Sequence, residues 1–329
     1  EVIRPRAQVL AENVAKWGTG TAVVTNSDPQ VFGNLPGLFD VMLVDAPCSG
    51  EGMFRKDPEA VREWSEANVK LCAERQRRIL ADAWPALKPG GFLVYSTCTY
   101  SPDENEQILD WLAEQYGAEG QSIAIQPDWG VVPVGDRLPG YRFYPHRVAG
   151  EGLFMAVLRK PDGSAPRLRP AKKPTWQKAA RADMAAVNGW LRHPETWDWL
   201  RWQEKLVALP AGTHLVAEQL AQALRIVYAG VDVAEIVRTQ ANPLPPLALC
   251  TDLHTDAFAT EDVDTENALR FLSREETPLN EGKGWKLITY QNLPLGWVKQ
   301  IGHRANNYFP SEWRLRMNWR EQLRMKDKE

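Results

Sequence analysis

The sequence predicts an α/β first half built on a doubly wound sheet, followed by a small mixed or mainly β second half. Three observations carry this. Helical and strand-like patterns alternate over the first 160 residues. Two of those strands are short continuous apolar runs, as a parallel strand buried on both faces requires. From about Leu206 the patterns become strand-like and are punctuated by Gly, Pro and Asn. The 329 residues, at roughly 100–200 per domain, give two domains, and 44% hydrophobic residues supply their cores.

The elements follow in order. A helix is expected from about Pro5 to Trp17, stopped by Gly18, then a strand Thr21–Thr25. The apolar run Phe39–Val44 gives the next strand and ends at Asp45-Ala46-Pro47-Cys48-Ser49-Gly50. Asp57-Pro58 places an N-cap and a first-turn proline before one long helix carrying Leu71, Arg75, Ile79 and Ala83 at helical spacing. A second buried strand, Phe92–Tyr95, ends at Ser96-Thr97-Cys98-Thr99. Ser101-Pro102-Asp103-Glu104 reads as a capping box for a helix running to Tyr116 and stopped by Gly117. A strand Gly152–Leu158 closes this half. Residues 161–205 then read as a basic linker leading into a short helical segment with Trp190, Trp197, Trp199 and Trp202. Beyond it Leu224, Ile226 and Tyr228 alternate as a strand, Gly230 turns, and Val231, Val233 and Ile236 continue.

Composition excludes some classes. Charged residues make up 25%, and no apolar run approaches the roughly 18–20 residues of a spanning helix, so an integral membrane protein is not expected. The opening EVIRPRAQVL has no initiator Met and no apolar signal core. Net charge is −3, too acidic for a simple nucleic-acid coat, but it is unevenly spread. Residues 1–160 hold 21 acidic and 16 basic side chains, whereas 161–205 hold 5 and 9 and 299–329 hold 4 and 8. The two basic stretches suit phosphate contact or a solvated face equally. Four cysteines, Cys48, Cys72, Cys98 and Cys250, are too irregularly spaced for a disulfide framework or a metal site, which points to a reducing, cytoplasmic setting. Cys72 and Cys250 sit in apolar patterns and read as packing residues.

Cys48 and Cys98 differ from that pair. Each lies two or three residues past a buried strand, at the carboxyl end where open α/β sheets gather reactive groups. Neighbouring strands would bring the thiols into one cleft beside Asp45. Two thiols and a carboxylate suit covalent catalysis on an electron-poor ring: one thiolate adds, the carboxyl group handles a ring nitrogen, and the second thiol assists release. A thiol pKa of roughly 8.5 must be shifted for this, with Thr97, Thr99 and loop amides as candidate helpers.

These residues also carry a resemblance. DAPCSGEGMFRKDPE (Asp45–Glu59) and YSTCTYSPDENE (Tyr95–Glu106) resemble the two catalytic motifs of the RNA cytosine-C5 methyltransferases of the Sun family. RFYPHRVAGEGLFMAVLRK (Arg142–Lys160) is similar to that family's closing strand hairpin. LRIVYAGVDVAEI (Leu224–Ile236) and LPLGWVKQIGHRANNYFPSEWRLR (Leu293–Arg316) resemble the PUA-type RNA-binding tail of its bacterial branch, which methylates 16S ribosomal RNA.

The resemblance implies a Rossmann-like methyltransferase sheet over residues 1–160, a basic, Trp-containing linker over 161–205 and a PUA-like, mainly β domain over 206–329. It implies S-adenosylmethionine as cofactor, Cys98 as the nucleophile toward C6 of cytosine, Cys48 as the residue assisting release, and Asp45 at the base edge and the cofactor end. Glu1 corresponds to the acid that holds the cofactor ribose and Asp28 to the residue near its adenine. The family's glycine-rich cofactor loop has no counterpart, so the sheet is expected to be N-terminally incomplete, starting at the end of the second strand.

RNA is the expected partner, since a thiol reaches C6 only of an unpaired or flipped base. Arg55 and Lys56, after the first motif, are candidate phosphate contacts. So are Lys299, Arg304 and Arg314, interleaved with Tyr308 and Trp313, aromatics that serve as stacking platforms or as core. No metal site is expected, and the chain reads as a monomer. A non-catalytic RNA-binding protein is the rival reading. A DNA cytosine methyltransferase is disfavoured because that class has no counterpart to the Thr97-Cys98 loop.

Overall fold

The computed structural model describes residues 1–164, 173–238 and 240–321. The chain divides into two units, Asp28–Leu168 and a second made of Glu1–Ser27 with Arg169–Glu329. The N-terminal strand, Val23–Thr25, takes its backbone partners from Ile226–Ala229 in an antiparallel pair, and so clusters with the C-terminal part of the chain.

In the Asp28–Leu168 unit the sheet order is Phe39–Asp45, Leu87–Thr97, Leu153–Arg159, Gly140–Phe143, Val132–Val134. The first pair is parallel and the rest antiparallel. Helices Glu66–Ala83 and Glu106–Tyr116 cover one face through Leu80, Ile108, Leu109 and Leu112 against Leu93, Tyr95, Phe154 and Leu158. Phe39–Asp45 is an edge strand, so the expectation that both its faces are buried fails. Met42 and Val44 pack against the core, while Val41 and Leu43 are 58% and 70% exposed on the other face.

Three local expectations shift. The helix after Pro58 is two helices, Pro58–Glu63 and Glu66–Ala83, because Ser65 restarts the chain by accepting the Asn68 N–H at 3.1 Å. The buried face of the second helix is Val69, Cys72, Ala73, Gln76 and Leu80, leaving Leu71 60% exposed. Residues 101–105 form turns, and the helix starts at Glu106, since the Glu104 side chain is used elsewhere.

In the other unit, helix Arg4–Trp17 ends at Gly18 in the left-handed region, where an added Cβ would lie 1.8 Å from the Leu249 carbonyl. The segment rich in tryptophan, expected helical, is instead a strand, Trp197–Trp202, because Leu200 and its neighbours pair with Lys205–Pro210. The short helix in this region is Arg181–Ala186. Trp197–Trp202 belongs to a five-stranded sheet, and Ala259–Asp262, Gly282–Tyr290, Leu293–Gly302 and Arg304–Asn307 form a four-stranded one. Part of the basic linker, including Arg167 and Arg169, lies outside the described residues. Among the described residues no helix is long and apolar enough to cross a membrane.

Candidate active site

The parallel pair fixes the site. Asp45 and Ser96 are register partners, so the Asp45–Gly50 and Ser96–Tyr100 loops leave the sheet at the same level. Ala46 N–H donates to the Ser96 carbonyl at 2.9 Å, carrying the register one residue beyond the strand. As a result the Cys48 and Cys98 sulfurs stand 3.0 Å apart, half-buried, both free thiols. The Cys98 N–H also donates to Cys48 Sγ at 3.2 Å. Asp45 is exposed beside them, with Ser96 Oγ donating to its carboxylate at 3.2 Å.

Two sulfurs this close share a proton. The Cys48 S–H stabilises a Cys98 thiolate and lowers the Cys98 pKa to about 7, against burial and the Asp45 charge, which act the other way. Cys48 moves upward, because the same hydrogen bond and its burial both favour its protonated form. The pair therefore has a built-in polarity: Cys98 is the group that ionises.

A buried polar network braces the two loops. Glu104, fully buried, accepts from the Ser49 N–H at 3.0 Å, the Ser49 hydroxyl at 2.5 Å and the Gln76 amide at 2.9 Å. The Gln76 amide also donates to the Pro47 carbonyl at 3.0 Å. Burial raises the Glu104 pKa. Ser49 and Thr99 hydroxyls meet at 3.0 Å, and Thr99 and Tyr100 donate to Glu51 at 3.1 and 2.9 Å. Thr97 donates to Asn105 at 2.7 Å, and Asn105 donates to the Thr99 carbonyl at 3.0 Å. The threonine hydroxyls thus brace the loop, and the amide beside the thiols is that of Cys98. Sequence reasoning missed Glu104 and Gln76. Glu104 was legible only as a helix cap, and Gln76 only as one polar residue in an amphipathic helix.

Glycines let a third segment close in. Gly52 N–H donates to the Cys98 carbonyl at 2.8 Å and Gly152 N–H to the Gly52 carbonyl at 3.0 Å. A Cβ on Gly152 would fall 1.9 Å from Tyr100 Oη and 2.6 Å from Gly52 Cα. Arg55 is exposed, with its guanidinium on the Gly150 carbonyl at 2.8 Å and Glu151 at 3.1 Å, and Lys56 is exposed next to it.

Of the cofactor candidates, Glu1 lies against the segment that leads into Asp28, its carbonyl accepting from the Ser27 N–H at 3.2 Å and the Asn26 amide at 3.1 Å. Glu1 belongs to one unit, Asp28 and Asp45 to the other. The Glu1 carboxylate accepts from the Ile3 N–H at 2.9 Å and pairs with Arg6 at 3.2 Å, and Asp28 caps Gln30 at 3.0 Å. Each of these carboxylates thus has a local partner, and Asp45 stands exposed beside the thiols.

In the C-terminal sheet, Lys299 lies over the Trp285 ring at 5.1 Å and Tyr308 packs edge-on to the same ring at 4.5 Å, itself 42% exposed. Trp313 is half-buried against Phe309. Arg304 and Arg314 are exposed.

An α/β unit with two thiols meeting at the carboxyl ends of parallel strands, followed by a small β unit, defines a class of two-cysteine enzyme carrying a separate binding module. Comparison narrows the class. Residues 1–159 match the family model described as 16S rRNA methyltransferase RsmB/F, and residues 259–315 match that of the methyltransferase RsmF PUA domain. The ribosomal RNA small subunit methyltransferase F of Aliivibrio fischeri (strain MJ11) is 31% identical over 331 residues, and that of Shigella boydii serotype 18 is 32% identical over 332. Each alignment covers 93% of this chain, and the chain spans 66% of each relative's length. The crystal structure of NSun6 from Pyrococcus horikoshii with SFG is 31% identical, with a TM-score of 0.37 over 42% of this chain and 34% of that one. This chain belongs to the RsmB/F family, with a PUA domain at its C-terminal end.

Proposed function

We propose that this chain takes part in C5 methylation of a cytosine in small-subunit (16S) ribosomal RNA, with Cys98 as the nucleophile. The observation that carries the reading is the 3.0 Å thiol pair, polarised so that Cys98 ionises first. The Cys98 thiolate forms a bond to C6 of an unpaired cytosine, and the C5–C6 π electrons pass to C5, which becomes the carbon nucleophile. Asp45 faces the polar edge of the ring. Once Cys98 is bonded to carbon, Cys48 no longer shares its proton with a neighbouring thiolate and gives that proton to water; as a thiolate it then takes the C5 proton, the C5–H electrons restore the C5–C6 double bond, and the C6–S bond breaks to return the Cys98 thiolate. S-adenosylmethionine, when bound, supplies an electrophilic methyl group, and Asp45 is the residue here that meets it. No step is routed through Glu1 or Asp28, whose carboxylates are held locally. Arg55 and Lys56 at the cleft, Lys299 and Arg304 on the C-terminal sheet and Arg314 after its last strand are the proposed phosphate contacts. Free thiols and a ribosomal substrate fit a cytoplasmic monomer.

The test is the covalent bond. With small-subunit ribosomal RNA and S-adenosylmethionine present, Cys48→Ala is expected to accumulate a protein–RNA adduct that survives denaturation, and Cys98→Ala to form none. An adduct that persists in Cys98→Ala overturns the assignment of the nucleophile. A second reading, an RNA-binding protein without turnover, draws on the local bonds that hold the Glu1 and Asp28 carboxylates. It is favoured if calorimetric titration shows no S-adenosylmethionine binding to the 329-residue chain.

A further inference from the structure

A second site lies in the C-terminal sheet, away from the thiols in sequence. A cavity of about 860 Å³ opens there, within the roughly 300–1,000 Å³ range of small-ligand sites. Its floor is apolar, with Phe271 fully buried and Val298 1% exposed. Between floor and mouth sits Gln300, 2% exposed. Its amide nitrogen donates to the Gly302 carbonyl at 3.0 Å, which fixes the orientation of the group and leaves Oε1 as the acceptor on the other side. That oxygen is buried and has no hydrogen-bond partner among the described residues. The neighbouring strands place Gly284 and Ala305 beside Gln300 in register, and neither side chain has a donor to offer. A buried carbonyl oxygen without a partner is costly, and native structures retain one where function gives it a use.

The mouth carries Arg274 and Arg304. Of the two carboxylates there, Glu275 is tied to Arg320 at 3.0 Å, while Arg274 donates to the Phe309 carbonyl and Arg304 is exposed. An apolar floor, one oriented acceptor and two guanidinium groups at the rim match the parts of a nucleotide: a flat base, an exocyclic amine and a phosphate. We infer that this cavity holds one unpaired, amino-bearing base of the RNA, with its amine on Gln300 Oε1 and its phosphate at Arg304. The inference rests on the RNA-directed reading above and deepens it, giving the C-terminal unit a base-reading site in addition to phosphate contacts.

The probes are adenosine, cytidine and uridine 5′-monophosphates and ribose 5-phosphate, each titrated into the full chain by calorimetry. Adenosine or cytidine monophosphate is expected to bind at least tenfold more tightly than uridine monophosphate and ribose 5-phosphate. Gln300→Leu is expected to remove that tenfold preference with little change in the melting midpoint, since it deletes an unsatisfied oxygen together with one hydrogen bond to the exposed Gly302 carbonyl, which water can replace. Arg304→Gln should weaken all four probes alike. Ala305→Leu, which fills the space beside Gln300, is the second variant and should also abolish the preference. Equal binding of ribose 5-phosphate and the nucleotides, or a preference retained in both Gln300→Leu and Ala305→Leu, overturns the inference. Because the probes do not involve the thiols, a missing Cys98 adduct with the base preference intact would fault the catalytic reading alone.

Discussion

The thiol cleft and the C-terminal cavity are polar sites built in opposite ways. Around Cys48 and Cys98 the buried groups Ser49, Thr97, Thr99, Glu104 and Asn105 bond one another, so the protein itself holds the reactive geometry. In the cavity, Gln300 offers an oxygen that no group among the described residues meets. Around the thiols most polar atoms are met within the protein, with Gln76 Oε1 and Tyr100 Oη among the buried exceptions. A site whose partner comes from outside leaves one waiting. The contrast predicts that substitutions around the thiols cost stability and reactivity together, while those around Gln300 cost binding and little else.

The largest effect is expected at Glu104. Glu104→Ala leaves the Ser49 N–H, the Ser49 hydroxyl and the Gln76 amide without their acceptor, a loss of about 3 kcal/mol or more. Glu104→Gln should stay within about 1 kcal/mol of the parent, because its carbonyl keeps two donors and the Ser49 hydroxyl can turn to donate to Thr99. The sign with pH follows from burial. A carboxyl whose folded pKa is raised contributes stability that is full below its unfolded value of 4.5 and is lost as pH rises through the folded value. Glu104→Gln should flatten that part of the profile, as read by urea unfolding at stepped pH. Equal midpoints for Glu104→Ala and the parent would break the comparison.

Next comes the thiol pair. Cys48→Ala removes the hydrogen bond that is the main cause of Cys98's low pKa, which should climb from about 7 toward the ordinary 9.0. The Cys98 thiolate is then present only at higher pH, and alkylation by iodoacetamide, followed by peptide mass spectrometry, should show its midpoint move upward. An unmoved midpoint would mean that the loop amides hold the thiolate.

Much of the cleft was legible because two short offsets from two strand ends suffice to place it: Asp45 and Ser96 are register partners, and each cysteine follows within three residues. The supporting groups were not legible. Glu104 satisfies a capping pattern in sequence yet turns inward, and the helix that carries Gln76 was read on the wrong face because Leu71, 60% exposed, fits the same periodicity. The N-terminal strand reads as part of the first sheet, since a three-residue run does not name its partner, and here that partner is Ile226–Ala229. The cavity was invisible because Phe271, Arg274, Gln300 and Arg304 come from separate elements with no shared spacing.

Gly152→Ala tests whether close backbone approach matters as much as polar bonding. The new methyl group would meet Tyr100 Oη and Gly52 Cα, and the backbone cannot yield without disturbing the Gly52 bond to the Cys98 carbonyl. A cost of about 1–3 kcal/mol is expected in urea unfolding, with faster alkylation of Cys98 as its loop loosens. Stability lost with the alkylation rate unchanged would separate the closing segment from the reactive geometry.

The smallest effect is expected at the rim. Arg55 bonds Gly150 and Glu151 across exposed loops, so Arg55→Ala should change stability by less than about 1 kcal/mol. Its use, if any, is toward RNA, and the salt dependence of binding can isolate that. Loss of one phosphate contact lowers the slope of log affinity against log salt by about 1, whatever the sequence bound. Lys56→Ala, one residue on and without a bond across the loops in the structure, should give the same slope change if both contact phosphate. If only Lys56→Ala changes it, Arg55 belongs with the internally bonded groups around the thiols, and the boundary between the two kinds of site runs between adjacent residues.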